Sequence, residues 1–119
     1  VVTHHGGDVN IDHRITHEAV ITACRPQPGH SVRLLLTFET VSSTEWQPPG
    51  SNVMFQPNWF EDVTETFIFK NKALNCYQSE MREWPHPRSL KNIQNLAQYR
   101  GSSIGCNLAE SFMLLRKID

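Results

Sequence analysis

Residues 32–38 (VRLLLTF) decide the fold class of this chain. The run is mostly apolar and β-favouring, which is the pattern of a strand covered on both faces. Residues 1–3 (VVT) have the same character and predict the end of another buried strand. A helical pattern separates the two strands, so we expect an α/β layered domain.

Three helices are predicted around these strands, in the order strand–helix–strand–helix–helix–strand. The first begins at Asp12, since aspartate is a good N-cap, and Pro26 follows its end. The second spans residues 69–81, the third begins near Ser89, and a β-rich segment at 108–118 closes the chain. The apolar residues of the first helix share one face, which we expect to pack inward: Ile15, Ala19, Val20 and Ala23. Residues 41–58, between the second strand and the second helix, are rich in proline. They predict irregular structure and short edge strands.

Length and composition exclude several classes of protein. The 119 residues suffice for one domain, and their charge is nearly balanced, with 11 Lys and Arg against 12 Asp and Glu. This balance lacks the basic excess of a nucleic-acid-binding protein. No apolar run approaches the roughly 20 residues that span a bilayer. The three cysteines cannot all pair, which favours free thiols in a reducing cytoplasm. We expect a cytoplasmic protein that binds neither nucleic acid nor membrane.

One loop concentrates the residues that carry chemistry. Four of the six histidines lie within residues 4–17 (HHGGDVNIDHRITH), together with Asp8, Asn10 and Asp12. The loop follows the first strand, and ligands of open α/β sheets gather at the carboxyl ends of strands. A functional site is therefore expected here, against the alternative of a solvated polar loop in which Asp12 only caps a helix.

A calcium loop is the first of three interpretations. The pattern Asp8-x-Asn10-x-Asp12 resembles its opening. Such a loop needs glycine at its sixth position and glutamate at its twelfth. His13 and Ala19 stand at those positions, so we exclude a calcium loop.

The other two interpretations involve zinc. His13 and His17 have the i, i+4 spacing of a helical zinc pair. This signal is weak, because the zincin motif needs glutamate directly after the first histidine, where Arg14 stands. The third interpretation takes His13 as a single ligand, with Asp12 and Asn10 beside it to orient it or to handle protons.

Two stretches resemble the LmbE-like/PIG-L family of zinc-dependent N-deacetylases, the relatives of N-acetylglucosaminyl-phosphatidylinositol de-N-acetylase. Residues 3–14 (THHGGDVNIDHR), followed by 18–20 (EAV), look like the family's second metal motif. Residues 97–101 (AQYRG), Gly105 and 109–112 (AESF) are similar to its C-terminal signature. The resemblance spans nearly the whole chain but only the second half of the family's domain. We therefore expect residues 1–119 to be the C-terminal part of a single LmbE-like/PIG-L deacetylase domain.

This resemblance implies a Rossmann-like three-layer α/β sandwich with a mostly parallel sheet and one zinc ion. The family binds zinc through a histidine and an aspartate of an N-terminal His-Pro-Asp-Asp motif, and through the histidine that ends the second motif. Only the last of these ligands maps here, onto His13. The remaining ligands and the general base are expected in an N-terminal part that these residues do not include.

The implied activity is removal of the N-acetyl group from an N-acetylglucosamine-type sugar or sugar conjugate. Asp12 and Asn10 are the candidate catalytic residues, Asp12 by orienting a neighbouring group. Asn10 stands where many family members have the first histidine of a His-Pro-Asp-His motif; it can donate a hydrogen bond to an oxyanion but cannot exchange a proton near neutral pH. Either His4 or His5 takes the proton-handling role, or this chain does without it.

Substrate contacts are implied for three residues: His5, His86 and Arg88, the last two through sugar hydroxyls or a phosphate. The alternative function is a non-catalytic relative of the same fold that binds a sugar or metabolite, and Asn10 in place of histidine favours it. In both cases the partner is an N-acetylated amino sugar or a related small molecule. Strand edges without neighbours can pair with a second copy of the chain, so a homo-oligomer stays an alternative.

Overall fold

The computed structural model describes residues 1–50 and 53–119, and in them the chain forms an α/β fold. A mixed four-stranded sheet is accompanied by three α-helices. The strands and helices are β1 (Val2–His4), α1 (Ile11–Ala23), β2 (Leu34–Phe38), β3 (Trp59–Asp62), α2 (Phe67–Asn75), α3 (Leu90–Ser102) and β4 (Ala109–Lys117). The predicted order of elements is confirmed, with β3 as an addition.

The sheet has the strand order β1-β2-β4-β3. β1 is parallel to β2, with Thr3 opposite Thr37, and α1 supplies the crossover that a parallel pair requires. β4 is antiparallel to β2, with Phe112 opposite Phe38. The sheet is therefore mixed, and the mostly parallel sheet that the resemblance implied is not observed. The reason is that the closing strand enters beside β2 in the opposite direction.

Two compact units make up the chain, and the first comprises Val1–Trp59 and Phe112–Asp119. Its buried centre is β2, in which three consecutive residues are buried: Leu35, Leu36 and Thr37. Because successive strand side chains point to opposite faces, both faces of β2 are covered, as the sequence predicted. The strand itself begins at Leu34 rather than at Val32.

The N-terminus of α1 differs from the prediction. Asn10, not Asp12, is the N-cap: its side-chain oxygen accepts a hydrogen bond from the Asp12 amide at 2.9 Å. Asn10 has extended backbone angles, as an N-cap residue requires, whereas Asp12 already lies in the first helical turn. The helix ends at Ala23, just before Arg25 and Pro26, as predicted.

The face that α1 turns inward is also different. Ile15, on the predicted apolar face, is 57% exposed, and α1 contains no fully buried residue. His13 and His17 are partly buried instead, because each finds a hydrogen-bond partner in the β1–α1 region. Of the predicted apolar face only Val20 is partly buried, so His13, His17 and Val20 lie on the inward side of α1.

The second unit is Phe60–Ser111 and contains α2 and α3. Ser89 caps α3, accepting from the Asn92 amide at 3.1 Å, which confirms the predicted start of that helix. α2 begins and ends earlier than the predicted 69–81, since residues 75–80 are all exposed and no packing stabilises further turns. The apolar residues buried in this unit are Phe67, Ile93, Ala97 and Ala109.

The segment predicted to be irregular, 41–58, contains a 3-10 turn at Thr44–Trp46. Its described part has no strand, and β3 begins directly after it at Trp59. The prediction for residues 51 and 52 lies outside the described residues.

Two further sequence predictions concern the whole chain. All three cysteines are free, as predicted. In the part of the chain that the structure describes, no helix has both the length and the hydropathy required to cross a bilayer.

Gly101 allows a prediction about packing in the second unit. A Cβ at this buried position of α3 would lie 2.7 Å from the Cys106 carbonyl oxygen. Alanine gains about 1 kcal/mol over glycine in a helix, but overpacking costs about 1–3 kcal/mol. We expect Gly101→Ala to lower the free energy of unfolding, measured in urea, by up to about 2 kcal/mol. Ser102→Ala, at the exposed neighbouring position, should stay within about 0.5 kcal/mol of wild type. A stabilised Gly101→Ala variant would contradict the close approach.

Candidate functional site

The loop between β1 and α1 closes around one carboxylate, that of Asp8, which is 0% exposed. Its Oδ1 accepts hydrogen bonds from the Asn10 amide at 3.0 Å and from the Ser43 hydroxyl. Its Oδ2 accepts from the Thr44 hydroxyl at 3.1 Å and lies 3.0 Å from His13 Nδ1. A buried charge is tolerated when its oxygens are satisfied in this way.

The charge state of Asp8 follows from these contacts. Burial raises the pKa of the carboxyl group, but hydrogen bonds from the Ser43 hydroxyl, the Asn10 amide and the His13 ring lower it by more. The pKa of Asp8 therefore lies below its ordinary value, and the group is ionised at neutral pH.

His13 lies in the first turns of α1, with its ring directed at this carboxylate. An ionised carboxylate only accepts hydrogen bonds, so the proton shared with Asp8 is carried by Nδ1 of His13. In the neutral ring, Nε2 then keeps its lone pair. This is the state in which histidine binds a metal ion or accepts a proton.

His4, the last residue of β1, covers the ring of His13. The two imidazoles are stacked, with their centroids 4.2 Å apart and an interplanar angle of 22°. Burial, followed by the nearby His13, lowers the pKa of His4, and Asp8 opposes this only in part. Nδ1 of His4 is buried and has no hydrogen-bond partner among the described residues. The site therefore contains a neutral imidazole with one unsatisfied nitrogen.

The remaining two histidines of the loop contact backbone groups. His17 Nδ1 donates to the His4 carbonyl oxygen at 2.9 Å, and its ring packs so closely on Gly6 that a Cβ there would lie 2.8 Å from Nε2. His5 is 4% exposed, and its Nε2 donates to the Val53 carbonyl oxygen at 2.9 Å. Both residues thus contact the backbone of the loop, and Nε2 of His17 lies against Gly6. The substrate contact of His5 stays a prediction.

The candidate catalytic residues Asn10 and Asp12 are both exposed at the start of α1. The Asn10 side-chain oxygen is engaged in capping the helix, which leaves its amide NH2 group as a donor. The Asp12 backbone donates to Asn10 and accepts from the Thr16 hydroxyl at 2.7 Å. The carboxylate that contacts the ring of His13 is that of Asp8 and not that of Asp12. The catalytic roles of Asn10 and Asp12 stay predictions.

The sequence did not predict the residues of the site that lie far from the loop along the chain. Asp8 was predicted only as one of the polar residues of the loop, with no contact to His13, and neither Ser43 nor Thr44 was singled out. A local signal for Asp8 exists, because an aspartate in a turn often accepts from the backbone amide two residues on, as Asp8 does from Asn10. Ser43 and Thr44 lie 35 and 36 residues from Asp8, and no local pattern indicates their contact with it.

The other two predicted substrate-binding residues lie in the second unit, in the turn before α3. Arg88 Nη1 donates to Glu80 Oε2 at 2.8 Å, an ion pair that is open to solvent. The Arg88 amide donates to His86 Nδ1 at 3.0 Å. The structure shows these residues in local turn contacts, and their role toward a substrate stays a prediction.

Comparison of the chain with models of known families, with curated proteins and with solved structures gives no match. Within residues 1–50 and 53–119, no group of three His, Cys, Asp or Glu side chains is arranged to hold a metal ion. Only the resemblance in sequence and the geometry around His13 therefore point to a function.

The lowered pKa of Asp8 predicts how stability depends on pH. Because the pKa is lower in the folded chain than the ordinary 3.8, the ionised carboxylate stabilises the fold above that pH and the contribution is lost as pH falls through the folded value. We expect the unfolding free energy of Asp8→Asn, measured in urea, to fall less than that of wild type between neutral pH and about pH 2. The pKa of His4 lies below its ordinary 6.5 in the folded chain, so protonation of His4 also removes stability as the pH falls below 6.5. This loss occurs in wild type and in Asp8→Asn alike.

The matched control for this measurement is Glu18→Gln, which removes an exposed carboxylate from α1. Its stability should follow the wild-type dependence on pH. An Asp8→Asn variant with the same acid slope as wild type would show that Asp8 is not held as the hydrogen bonds indicate.

Proposed function

We propose that this protein is a zinc-dependent N-deacetylase of the LmbE-like/PIG-L kind that acts in the cytoplasm on an N-acetylated amino sugar or its conjugate. In this proposal, residues 1–119 are the C-terminal part of a Rossmann-like domain. The observation that carries it is the contact of His13 Nδ1 with the buried carboxylate of Asp8 at 3.0 Å, which leaves Nε2 as the ring nitrogen that can bind a metal ion. His13 is also the residue that the resemblance assigns to zinc.

The residues present fit one ligand position of a zinc site. Zinc binds neutral imidazole, commonly with a carboxylate on the opposite ring nitrogen, as Asp8 lies on Nδ1 of His13. The pKa of the stacked His4 is lowered, so its ring adds no positive charge beside His13 near pH 7. The further ligands are those that the resemblance assigns to a His-Pro-Asp-Asp motif, which these residues do not include.

The chain's own residues have separate roles in the proposed reaction. When bound, zinc would polarise the acetamide carbonyl and activate a water for attack near neutral pH. His13 would hold the ion through Nε2. Asn10 presents its amide NH2 group at the start of α1, where it can donate to the oxyanion that develops on the carbonyl.

Proton handling falls to His4 rather than His5 in this scheme. His4 stacks on His13 and has an unpartnered Nδ1, whereas the Nε2 of His5 donates to the Val53 carbonyl oxygen. The unpartnered nitrogen of His4 is the atom that can hold the proton for the departing amine.

A binding protein without turnover is the second candidate function. The observation in its favour is that Asn10 is the N-cap of α1, a role that explains this asparagine without catalysis. The sequence that precedes these residues discriminates between the two candidates. An intact His-Pro-Asp-Asp motif favours the deacetylase, and a degenerate one favours the binding protein.

The deacetylase proposal is tested by acetate release. We expect the full-length protein that contains these residues to release acetate from N-acetylglucosamine derivatives, and zinc to restore this activity after chelation. Sugar binding without acetate release would support the second candidate. Neither acetate release nor zinc in the purified full-length protein would contradict the proposal.

The assignment of zinc to His13 is tested against its neighbour on the same helix. His13→Ala in the full-length protein should abolish zinc retention and acetate release, because in this proposal its ring is a zinc ligand. The fold should stay nearly intact, because the ring is only partly buried. His17→Ala should retain zinc, because the ring of His17 packs on Gly6 and donates to the His4 carbonyl oxygen. Metal content of both purified variants is the measurement. Zinc loss in His17→Ala together with zinc retention in His13→Ala would favour the helical pair instead.

A further inference from the structure

The two oxygens of Asp8 have different partners, and this division carries a consequence for His13. Oδ1 accepts from the Asn10 amide and the Ser43 hydroxyl, which anchor it to the backbone of the loop and to a distant turn. Oδ2 is the oxygen that faces Nδ1 of His13, and it also accepts from Thr44. The carboxylate is thus oriented by groups other than the histidine.

We propose that Asp8 is a positioning residue that sets the tautomer and the ring orientation of His13, and that Ser43 holds Asp8 in place for this. The inference rests on the proposed function for its zinc readout, but the tautomer can be measured without any metal. Among the described residues, the only other acceptor near Nδ1 of His13 is the Ser43 oxygen, at the longer distance of 3.5 Å.

The turn that supplies Ser43 is built in a way that supports this role. Glu45 accepts from the amides of Ser42 and Ser43 through its two carboxylate oxygens, at 2.6 and 3.2 Å. The Thr44 hydroxyl accepts from the Thr40 amide at 2.7 Å while it donates to Asp8. Ser42 has a φ of 64°, an angle uncommon for a residue other than glycine. These contacts fix the turn locally and direct the hydroxyls of Ser43 and Thr44 at the carboxylate.

Asp8→Asn is the substitution that separates positioning from packing, because its shape is almost unchanged. The Asn10 backbone amide can only donate, whereas the Ser43 and Thr44 hydroxyls can also accept, so the asparagine places its carbonyl oxygen where Oδ1 was. Its NH2 group then occupies the place of Oδ2 and donates to Nδ1 of His13. That bond requires a lone pair on Nδ1, so the proton moves to Nε2, where it blocks a metal.

The experiment uses the full-length protein labelled with 15N-histidine, freed of metal, and two-bond 1H–15N correlation spectra of His13. Wild type should show the proton on Nδ1, and Asp8→Asn should show it on Nε2. Zinc competition with a chromophoric chelator should give a Kd raised about 10- to 100-fold in Asp8→Asn. Glu18→Gln, an exposed carboxylate on the same helix, should change neither quantity.

Ser43→Ala keeps the test decisive if Asp8→Asn does not fold. It leaves both Asp8 and His13 in place and removes one donor, so we expect a smaller, few-fold rise in the zinc Kd. An unchanged Kd in Ser43→Ala, or a wild-type tautomer in folded Asp8→Asn, overturns the inference.

Failure of this inference differs from failure of the proposed function. If wild type binds zinc and releases acetate while the tautomer of Asp8→Asn is unchanged, the function stands and the positioning role falls. If wild type binds no zinc but the tautomer moves in Asp8→Asn, the positioning role stands and the zinc assignment falls.

Discussion

The buried carboxylate of Asp8 is the constraint on which the site depends. Taking a charged group out of water costs several kcal/mol unless its oxygens are paired. Here the pairing comes from the loop itself, from the first helix and from a turn that lies 35 residues away. Satisfying one carboxylate therefore joins three segments of the first unit and determines where His13 lies.

The parallel pairing of β1 and β2 makes this convergence possible. His4 and Phe38, the last residues of the two strands, are opposite each other in the register, and their rings lie 4.8 Å apart. Parallel strands end at the same edge of a sheet, so the loop after β1 and the turn after β2 both leave from that edge. Asp8 belongs to that loop and Ser43 to that turn. The position of the candidate site thus agrees with the general location of ligand sites in α/β sheets.

The first helix shows a conflict between hydrophobic pattern and polar contacts. Its inward side carries His13 and His17, while Ile15 on the apolar stripe is exposed. Local rules of this kind are broken most often where a protein keeps a functional arrangement. The conflict supports the proposal that His13 has a functional role, because the loop holds its ring through Asp8.

The sequence by itself determined the features that depend on neighbouring residues. The strand within residues 32–38, the Ser89 cap, the closing strand and the loop that holds the histidines could all be predicted from local propensity and hydrophobic pattern. The tertiary structure alone decided the mixed sheet and the contact of Asp8 with Ser43. Both features join residues that are far apart in the sequence. The free energy of a buried hydrogen bond depends on the partner that it finds in the fold, and local sequence patterns do not indicate that partner.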